Sequence, residues 1–236
     1  MTQFTYQERF RTAKGVFDEF TNRNLFELQS RKVFDELVSP IFVGKESNVF
    51  LASKGDKKVI VKIYRVQNCD FNHMYNYIKQ DSRYEQLKKR HREIIFAWTQ
   101  REYKNLLKAE KAKIKSPRAL SWKFNILVEE MVGDEVPAPP LKDTCPEKPK
   151  KFFQDIVKEV KKLYKCGLVH GDLSAFNILN HNDKPYLIDF SQSTLVKSPN
   201  AKELLVRDIK NVAQFFKKLG IEVDLEETFK KITSDK

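Results

Sequence analysis

One loop and the short strands that follow it constrain the fold of this chain more than any other segment. Asp172 is followed five positions later by Asn177, and Asp189 directly follows a strand-like run. Short strands are expected at 178–179 and 186–188, on either side of a turn. Carboxylate and amide oxygens are the ligands that Mg²⁺ prefers in proteins. The pattern therefore indicates a magnesium site made by Asn177 and Asp189.

This spacing is typical of enzymes that transfer phosphoryl groups. In such a site Asp172 accepts a hydroxyl proton or orients the attacking oxygen, while the metal bridges phosphate oxygens and offsets their developing charge. The alternative is structural, because Asp and Asn residues also cap turns between short strands. The agreement of the spacing with the flanking strands favours the catalytic interpretation.

A lysine in the middle of a strand is the second signal. Residues 49–52 and 59–64 are expected to form a β-hairpin that turns at 55–56. Lys62 lies among apolar neighbours in the second strand, where a lysine is costly unless it is paired. It would then bind the α- and β-phosphates of a nucleotide. A surface lysine on an edge strand is the alternative.

The partner of Lys62 is expected on a helix predicted over 93–110. The inner stripe of that helix consists of Ile95, Trp98, Glu102, Leu106 and Ala109. Glu102 is the one carboxylate on this apolar stripe, which makes it the natural partner of the lysine. Glu93 and Glu110 are nearby alternatives that lie off the stripe.

Two further segments are expected to contact a nucleotide. The loop at 43–50 has one glycine, and its backbone amides and the Ser47 hydroxyl would face phosphates, although an ordinary turn fits the pattern as well. After a predicted strand at 126–128, the Glu130 carbonyl and the Val132 amide would bind the base. The predicted nucleotide-binding residues are Val43, Gly44, Lys45, Ser47, Val49, Ile60, Lys62, Glu102, Glu130, Val132 and Asn177.

Apolar periodicity predicts the other elements. Two short helices are expected within 8–38, the second capped by Asn22, and Pro40 is expected to end helical structure. Residues 70–92 are polar and basic, and they are expected to form a loop. Three more helices are predicted: 152–166, 200–219 and 225–232.

Composition limits the range of partners. Three cysteines without a C-x-x-C pair and four histidines without ligand spacing predict no zinc site and a reduced, intracellular protein. No apolar run approaches the roughly 18 residues of a membrane span, and the first twenty residues lack a secretory apolar region. The net charge of +12 indicates a polyanionic partner, which includes nucleotide, RNA and acidic protein surfaces.

Five stretches of this sequence resemble the RIO family of atypical protein kinases, nearest to its first subfamily. They are G-K-E-S-N-V-F at 44–50, V-K-I-Y-R at 61–65, W-T-Q-R-E-Y-K-N-L at 98–106, V-G-D-E-V-P-A-P at 132–139, and H-G-D-L-S-x-x-N with I-D-F-S-Q-S at 170–193. The resemblance spans roughly residues 25 to 220. It implies ATP with Mg²⁺ (Mn²⁺ as an alternative), kinase and ATPase activity, and a cytoplasmic role in maturation of the small ribosomal subunit, with its RNA or proteins as partners. It also implies catalysis by Asp172 and a phospho-aspartate at Asp189.

The predicted fold is α+β, with the two lobes of a protein kinase. A helical extension is expected over 1–38, an N-terminal lobe over 39–132 with the basic loop at 70–92, and a C-terminal catalytic lobe over 133–236. Only about ten residues separate Asp189 from the last long helix, and no A-P-E motif follows. The C-terminal lobe should therefore lack the long activation segment and the helices that hold a peptide substrate.

Two departures from the family and two other functions complete the prediction. Ile60 is larger than the alanine common at its position, and Glu129 occupies a position that is usually apolar, so both alter the expected adenine pocket. A small-molecule phosphotransferase of the aminoglycoside or choline kinase type shares the H-G-D-x-x-x-x-N pattern. A non-catalytic binding scaffold is the third hypothesis, although it has no need for an intact metal pair.

Overall fold

Five antiparallel strands form the sheet of the N-terminal lobe. The computed structural model describes residues 17–67 and 69–234. The strands lie in the order β1-β2-β3-β5-β4. Their bounds are Glu36–Val43 (β1), Ser47–Lys54 (β2), Lys57–Tyr64 (β3), Ala119–Lys123 (β4) and Ile126–Glu130 (β5).

The two faces of this sheet have different environments, because side chains alternate along each strand. One face packs against α1 (Glu19–Ser30) in an apolar cluster of Leu25, Leu28, Phe34, Ala52, Val59, Val61, Ile63, Ile126 and Val128. The other face carries Ile60, Lys62 and Tyr64, as the alternation in the sequence predicts. Val49 pairs with Lys62 and Glu129 pairs with Ile60 across neighbouring strands. Strand pairing therefore places these side chains together on the second face.

Two helices cover the second face of the sheet at one end. They are α2 (Phe71–Lys79) and α3 (His91–Lys111), joined through a short 3₁₀ turn at Ser82–Tyr84. Met74 and Ile78 of α2 pack with Ile94, Ile95 and Trp98 of α3 in a separate apolar cluster. This packing holds α3 beside β3, where the helix can present polar side chains to the sheet.

The C-terminal lobe is built around α4 (Pro149–Lys165), α5 (Ala201–Lys218) and α6 (Leu225–Thr233). A hairpin of β7 (Ile178–His181) and β8 (Lys184–Leu187) follows the predicted catalytic loop, and β6 (Leu168–Val169) pairs with β9 (Thr194–Leu195). The described chain thus forms two lobes of a mixed α/β, kinase-like fold. A short turn and β9 are the only elements between Asp189 and α5, so the C-terminal lobe is trimmed as predicted.

A tight connector joins β5 to the second lobe. The Ala138 amide donates to the Val132 carbonyl at 2.8 Å, so the chain folds back on itself immediately after the sheet. Gly133 has a φ of +142°, and a Cβ there would lie 2.2 Å from the Val136 carbonyl oxygen. Only glycine tolerates both conditions, which explains the glycine at the start of this connector.

The prediction for the N-terminal segment is partly wrong. Residues 8–16 lie outside the residues that the structure describes, and α1 begins after Asp18, whose carboxylate accepts from the Thr21 amide, and not after Asn22. Pro40 does not end a helix, because it lies inside β1, an edge strand with register shifts on both sides of this residue. Proline lacks a backbone N–H and is tolerated at a sheet edge.

Two further elements differ from the prediction. The basic segment at 70–92 is not a loop, because buried Met74 and Ile78 give it an apolar side that folds α2 onto α3. β4 was not predicted from the sequence. The division of the chain at 38/39 and 132/133 stays a prediction, and β1 begins before the first of these boundaries.

In residues 17–67 and 69–234, the helices are too short or too polar for any of them to cross a membrane.

Replacing Leu28 of α1 with alanine tests the packing of this helix on the sheet. Leu28 is 1% exposed, and the cavity left by its removal should lower the free energy of unfolding by about 2 to 4 kcal/mol. Phe26 on the same helix is 71% exposed, so Phe26→Ala should change it by no more than about 0.5 kcal/mol. Urea unfolding measures both. Equal effects of the two substitutions would show that α1 does not pack as described.

Candidate active site

Lys62 lies between two carboxylates. Its Nζ is 2.9 Å from Oε1 of Glu102 and 3.0 Å from Oδ1 of Asp189. The predicted pairing of Lys62 with Glu102 is confirmed. Burial lowers the pKa of Lys62, but Asp189 and Glu102 outweigh this effect and raise that pKa well above its usual value. The lysine is therefore a fixed positive charge at the point where β3, α3 and the C-terminal lobe meet.

Tyr64 supports the same ion pair from the next position on this face of β3. Its hydroxyl donates to Oε2 of Glu102, so each carboxylate oxygen of Glu102 has its own donor. Tyr64 and Glu102 are both almost fully buried. A buried carboxylate needs such partners to offset its desolvation, and the tyrosine was not identified from the sequence.

Asp189 is held in an unusual backbone conformation. Its φ of +60° lies in the left-handed region, which costs energy for a residue other than glycine. The Ser191 hydroxyl donates to Asp189 Oδ1 at 2.6 Å, and the Ser191 amide donates to the same atom at 3.3 Å. Burial raises the pKa of Asp189, but Lys62 and Ser191 together lower it to about 2. Asp189 is therefore a carboxylate at every physiological pH.

Asp172 and Asn177 form the second polar group of the site. The Asn177 amide nitrogen donates to the Asp172 carbonyl at 2.8 Å and to Asp172 Oδ2 at 3.2 Å. Gln192 also donates to Asp172 Oδ2, at 3.2 Å. Burial, with a contribution from Asp189, raises the pKa of Asp172 to about 6. A carboxylate with a pKa close to neutral is suited to accept a proton.

The loop that carries Asp172 is anchored from α5. Asp208 is 1% exposed, and it accepts hydrogen bonds from the amides of Gly171 and Leu173, both at 2.8 Å. Burial raises the pKa of Asp208 to about 7, although both amides favour its ionised form. Asp208 was not predicted as a site residue from the sequence. It lies on the apolar stripe of α5, and the signal that identified Glu102, a carboxylate on such a stripe, would have found it.

Gly171 is the point where this loop passes the turn after Asp189. Its φ is +81°, and a Cβ there would lie 2.9 Å from the Gln192 carbonyl oxygen. The Gly171 carbonyl accepts from Arg207 and, at 3.2 Å, from the Tyr77 hydroxyl. His170 is buried and bonded through Nε2 to the Ile188 carbonyl, and burial lowers the pKa of His170 to about 4. A neutral histidine and a glycine thus let the two active-site segments approach closely.

Asn177 and Asp189 fit a magnesium ion in their chemistry. The nitrogen of the Asn177 amide is used to donate to Asp172, which leaves its oxygen as the atom for a cation. Lys62 and Ser191 both contact Oδ1 of Asp189, which leaves Oδ2. In residues 17–67 and 69–234 no three His, Cys, Asp or Glu side chains form a metal cluster. A magnesium ion would thus take its remaining ligands from phosphate and water.

The other predicted nucleotide-binding residues line the same side of the sheet or its edges. Ser47 pairs with Tyr64 and Val49 with Lys62, so both belong to the strand face that carries the lysine. Val43, the last residue of β1, and Lys45, in the turn between β1 and β2, are both exposed. The Gly44 amide donates to the Ser47 carbonyl at 2.9 Å, so it is already used within that turn. The nucleotide-binding roles of these residues stay predictions.

The predicted base-binding residues lie at the end of β5. The Glu130 side chain points away from the cleft and bonds to Arg118, and the Val132 carbonyl is used by Ala138. Glu129 is on the opposite side of the strand, paired with Ile60 and 8% exposed. Burial and Glu102 raise the pKa of Glu129 to about 8. A carboxyl group in its neutral form therefore lines the cleft in addition to Glu102, Asp189 and Asp172.

Comparisons with known proteins agree on one family. A family model described as "RIO domain" matches residues 48–230. The RIO-type serine/threonine-protein kinase Rio1 of Methanocaldococcus jannaschii is 41% identical over 230 residues, which cover 97% of this chain and 79% of that protein. Rio1 of Haloferax volcanii is 35% identical with the same coverage.

Solved structures agree in fold. The Rio2 kinase of Chaetomium thermophilum, in an ADP/Mg²⁺-phosphoaspartate complex, superposes with a TM-score of 0.69. The match covers 89% of this chain and 66% of that one. At 22% sequence identity, this similarity supports the fold alone.

Glu129 should make the stability of the protein depend on pH. The folded chain keeps this proton up to about pH 8, whereas the unfolded chain releases it near 4.5. Between these values folding takes up a proton, so the free energy of unfolding falls as the pH rises. Glu129→Gln removes this pH dependence of the free energy of unfolding. The variant should match the wild type at pH 4.5 and exceed it by at least about 1 kcal/mol at pH 8 in urea unfolding.

The neighbouring Glu130 is the matched control. Arg118 lowers the pKa of Glu130, so this carboxylate stabilises the fold above its unfolded pKa. Glu130→Gln should therefore leave the stability at pH 8 unchanged or slightly lower. Parallel pH profiles for wild type and Glu129→Gln would contradict the buried, neutral state of Glu129.

Proposed function

The chain belongs to the RIO family of serine/threonine-protein kinases, and from this premise we propose that it transfers the γ-phosphoryl group of ATP with the help of Mg²⁺. The observation that carries the proposal is the position of Lys62 Nζ, which lies within 3.0 Å of both Glu102 and Asp189. A lysine fixed in this way can hold phosphate oxygens next to a metal ligand. This arrangement favours the catalytic function over the scaffold hypothesis.

Four side chains share the work of the transfer. Lys62 would hold the α- and β-phosphates, and Asn177 and Asp189 would hold the metal. Asp172, oriented by Asn177 and Gln192, takes the proton of an attacking hydroxyl or water. When bound, Mg²⁺ offsets the negative charge of the phosphate oxygens. The pKa of about 6 at Asp172 leaves this residue mostly ionised, and ready to accept a proton, at neutral pH.

Asp189 is also a candidate acceptor of the phosphoryl group. Its low pKa keeps it as a carboxylate, which is the nucleophilic form. One carboxylate oxygen would bond to the γ-phosphorus while the bond from that phosphorus to the β–γ bridging oxygen breaks, and ADP leaves with the electron pair. Water then releases inorganic phosphate. The phosphoaspartate in the Chaetomium Rio2 complex is a precedent for this product.

Charge and family membership support a proposal for the cellular role. We propose that the protein acts in the cytoplasm on small ribosomal subunits during their maturation, and that the basic segment at 70–92 contacts RNA. The net charge of +12 favours a polyanionic partner. Lys88, Lys89 and Arg90 in this segment are exposed. The small-molecule phosphotransferase hypothesis is not retained, because the family match and the trimmed C-terminal lobe both disfavour it.

Transfer from γ-labelled ATP with Mg²⁺ tests the catalytic proposal. The wild type should release phosphate and hold an acid-stable, hydroxylamine-labile label on the protein. Asp189→Asn should lose that label, because an amide cannot form the acyl phosphate. Asp172→Ala should lower turnover by at least about 100-fold. Asp143→Asn, at an exposed aspartate paired with Lys142, should behave as the wild type.

Absence of both phosphate release and label from wild type would make the catalytic assignment wrong and favour the scaffold hypothesis. A label that resists hydroxylamine but is removed by base would place the phosphoryl group on serine or threonine instead of Asp189.

Charge reversal in the basic segment tests the RNA contact. The triple substitution of Lys88, Lys89 and Arg90 by glutamate should weaken binding to transcribed small-subunit ribosomal RNA at least about tenfold and reduce its dependence on salt. The same substitution of exposed Lys217, Lys218 and Lys231 changes the net charge equally at another surface. If both triple variants lose the same affinity, only the net charge matters and no local RNA contact exists.

A further inference from the structure

A buried asparagine on α3 contacts the turn that carries Asp189. Asn105 is fully buried and lies one helical turn after Glu102. Its amide nitrogen donates to the Phe190 carbonyl at 3.1 Å and to the Ser193 carbonyl at 3.0 Å. Phe190 is the first residue of the 3₁₀ turn at Phe190–Gln192 that follows Asp189, and Ser193 directly follows the last residue of this turn. One side chain therefore holds both ends of this turn.

This turn needs external support. Asp189 has a left-handed backbone, which persists in a residue other than glycine only when its surroundings hold it there. Ser191 supports the Asp189 side chain from within the turn. Asn105 bonds to the backbone of the turn from outside it, in addition to the side-chain contacts of Lys62 with Asp189 and of Gln192 with Asp172. Because a primary amide has two N–H donors, it can satisfy both carbonyls at once.

The oxygen of the same amide is fixed by the basic segment. Arg83 donates from Nη1 to Asn105 Oδ1 at 3.0 Å, which sets the orientation of the amide. Arg83 is in turn bonded through Nε to both oxygens of Asp81, at 2.9 and 3.0 Å. Asp81 is fully buried and also pairs with Arg101 on α3, at 3.2 Å. A continuous set of polar contacts thus leads from the basic segment to the turn after Asp189.

We propose that Asn105 is a positioning residue that sets Asp189 for binding the metal–nucleotide complex, and that Arg83 orients Asn105 for this task. The inference rests on the proposed phosphoryl-transfer function. Glu102 fixes Lys62, and Asn105 fixes the turn of Asp189. A single helix therefore sets the distance between Lys62 and Asp189. A shift of this helix would move both groups together.

The variants separate positioning from simple stability. Asn105→Asp keeps an oxygen for Arg83 but places a carboxylate against two carbonyls, so the turn loses both donors. Arg83→Gln removes the contact that orients the amide and leaves the two carbonyl contacts available. Leu106→Ala is the matched control, because it creates a cavity at the next, fully buried position of α3 and leaves the hydrogen bonds from Asn105 to the turn in place.

Magnesium titrations of ATP binding and turnover give the first measurement. Loss of a contact to a metal-binding group should cost about 10- to 100-fold in metal affinity or activity. We expect Asn105→Asp to raise the half-saturating Mg²⁺ concentration at least about tenfold, with metal-free ATP affinity within about twofold of wild type. Arg83→Gln should act in the same direction but less, and should add nothing to Asn105→Asp. Leu106→Ala should lower stability without changing the Mg²⁺ dependence.

Hydrogen exchange of the peptide covering 188–195, without any ligand, gives the second measurement. Exchange should be faster in Asn105→Asp than in Leu106→Ala, even if the wild type proves to have no turnover; in that case the proposed function fails and the positioning role stands. An active wild type combined with unchanged exchange and unchanged Mg²⁺ dependence in Asn105→Asp would overturn the positioning role and leave the proposed function intact.

Discussion

The two ion pairs of Lys62 are the constraint on which the rest of the structure depends. A buried charge costs several kcal/mol unless it is paired and hydrogen-bonded. Lys62 meets this requirement with Glu102 from α3 and Asp189 from the C-terminal lobe. The strand, the helix and the turn must therefore converge on one ammonium group. The packing of α3 beside the sheet and the return of the chain after the β7–β8 hairpin both serve this convergence.

Lys62 and Glu102 could be predicted because an unpaired charge among apolar residues raises the free energy of the folded state. Lys62 in an apolar strand and Glu102 on an apolar stripe each require a partner, and the structure pairs them. Apolar periodicity predicted α3, α4, α5 and α6 to within three residues at each end, because each helix has one continuous buried side. The two lobes and the short segment after Asp189 follow from the same local patterns.

The remaining features depend on contacts between distant parts of the chain. β1 is formed by pairing with β2 across two register shifts. Pro40 lies inside this strand, and because proline usually ends regular structure, the strand was not predicted. The polar composition of residues 70–92 hides the buried side of α2, which becomes apparent only against α3. Asn105 gave no signal, because an uncharged amide on a helix is common and the carbonyls to which it donates lie more than 80 residues away.

The charge balance of the cleft supports the proposal that a nucleotide binds together with a divalent cation. Lys62 is one positive charge among Glu102, Asp189 and Asp172, so the carboxylates already exceed the cations before a triphosphate is added. Glu129 does not add to this excess at neutral pH, because burial beside Glu102 keeps it protonated. A triphosphate alone would be repelled by Asp189 and Asp172. In the proposed function Mg²⁺ would enter with the nucleotide and Asp189 would become one of its ligands, so the carboxylate that pairs with Lys62 would also make nucleotide binding depend on the metal.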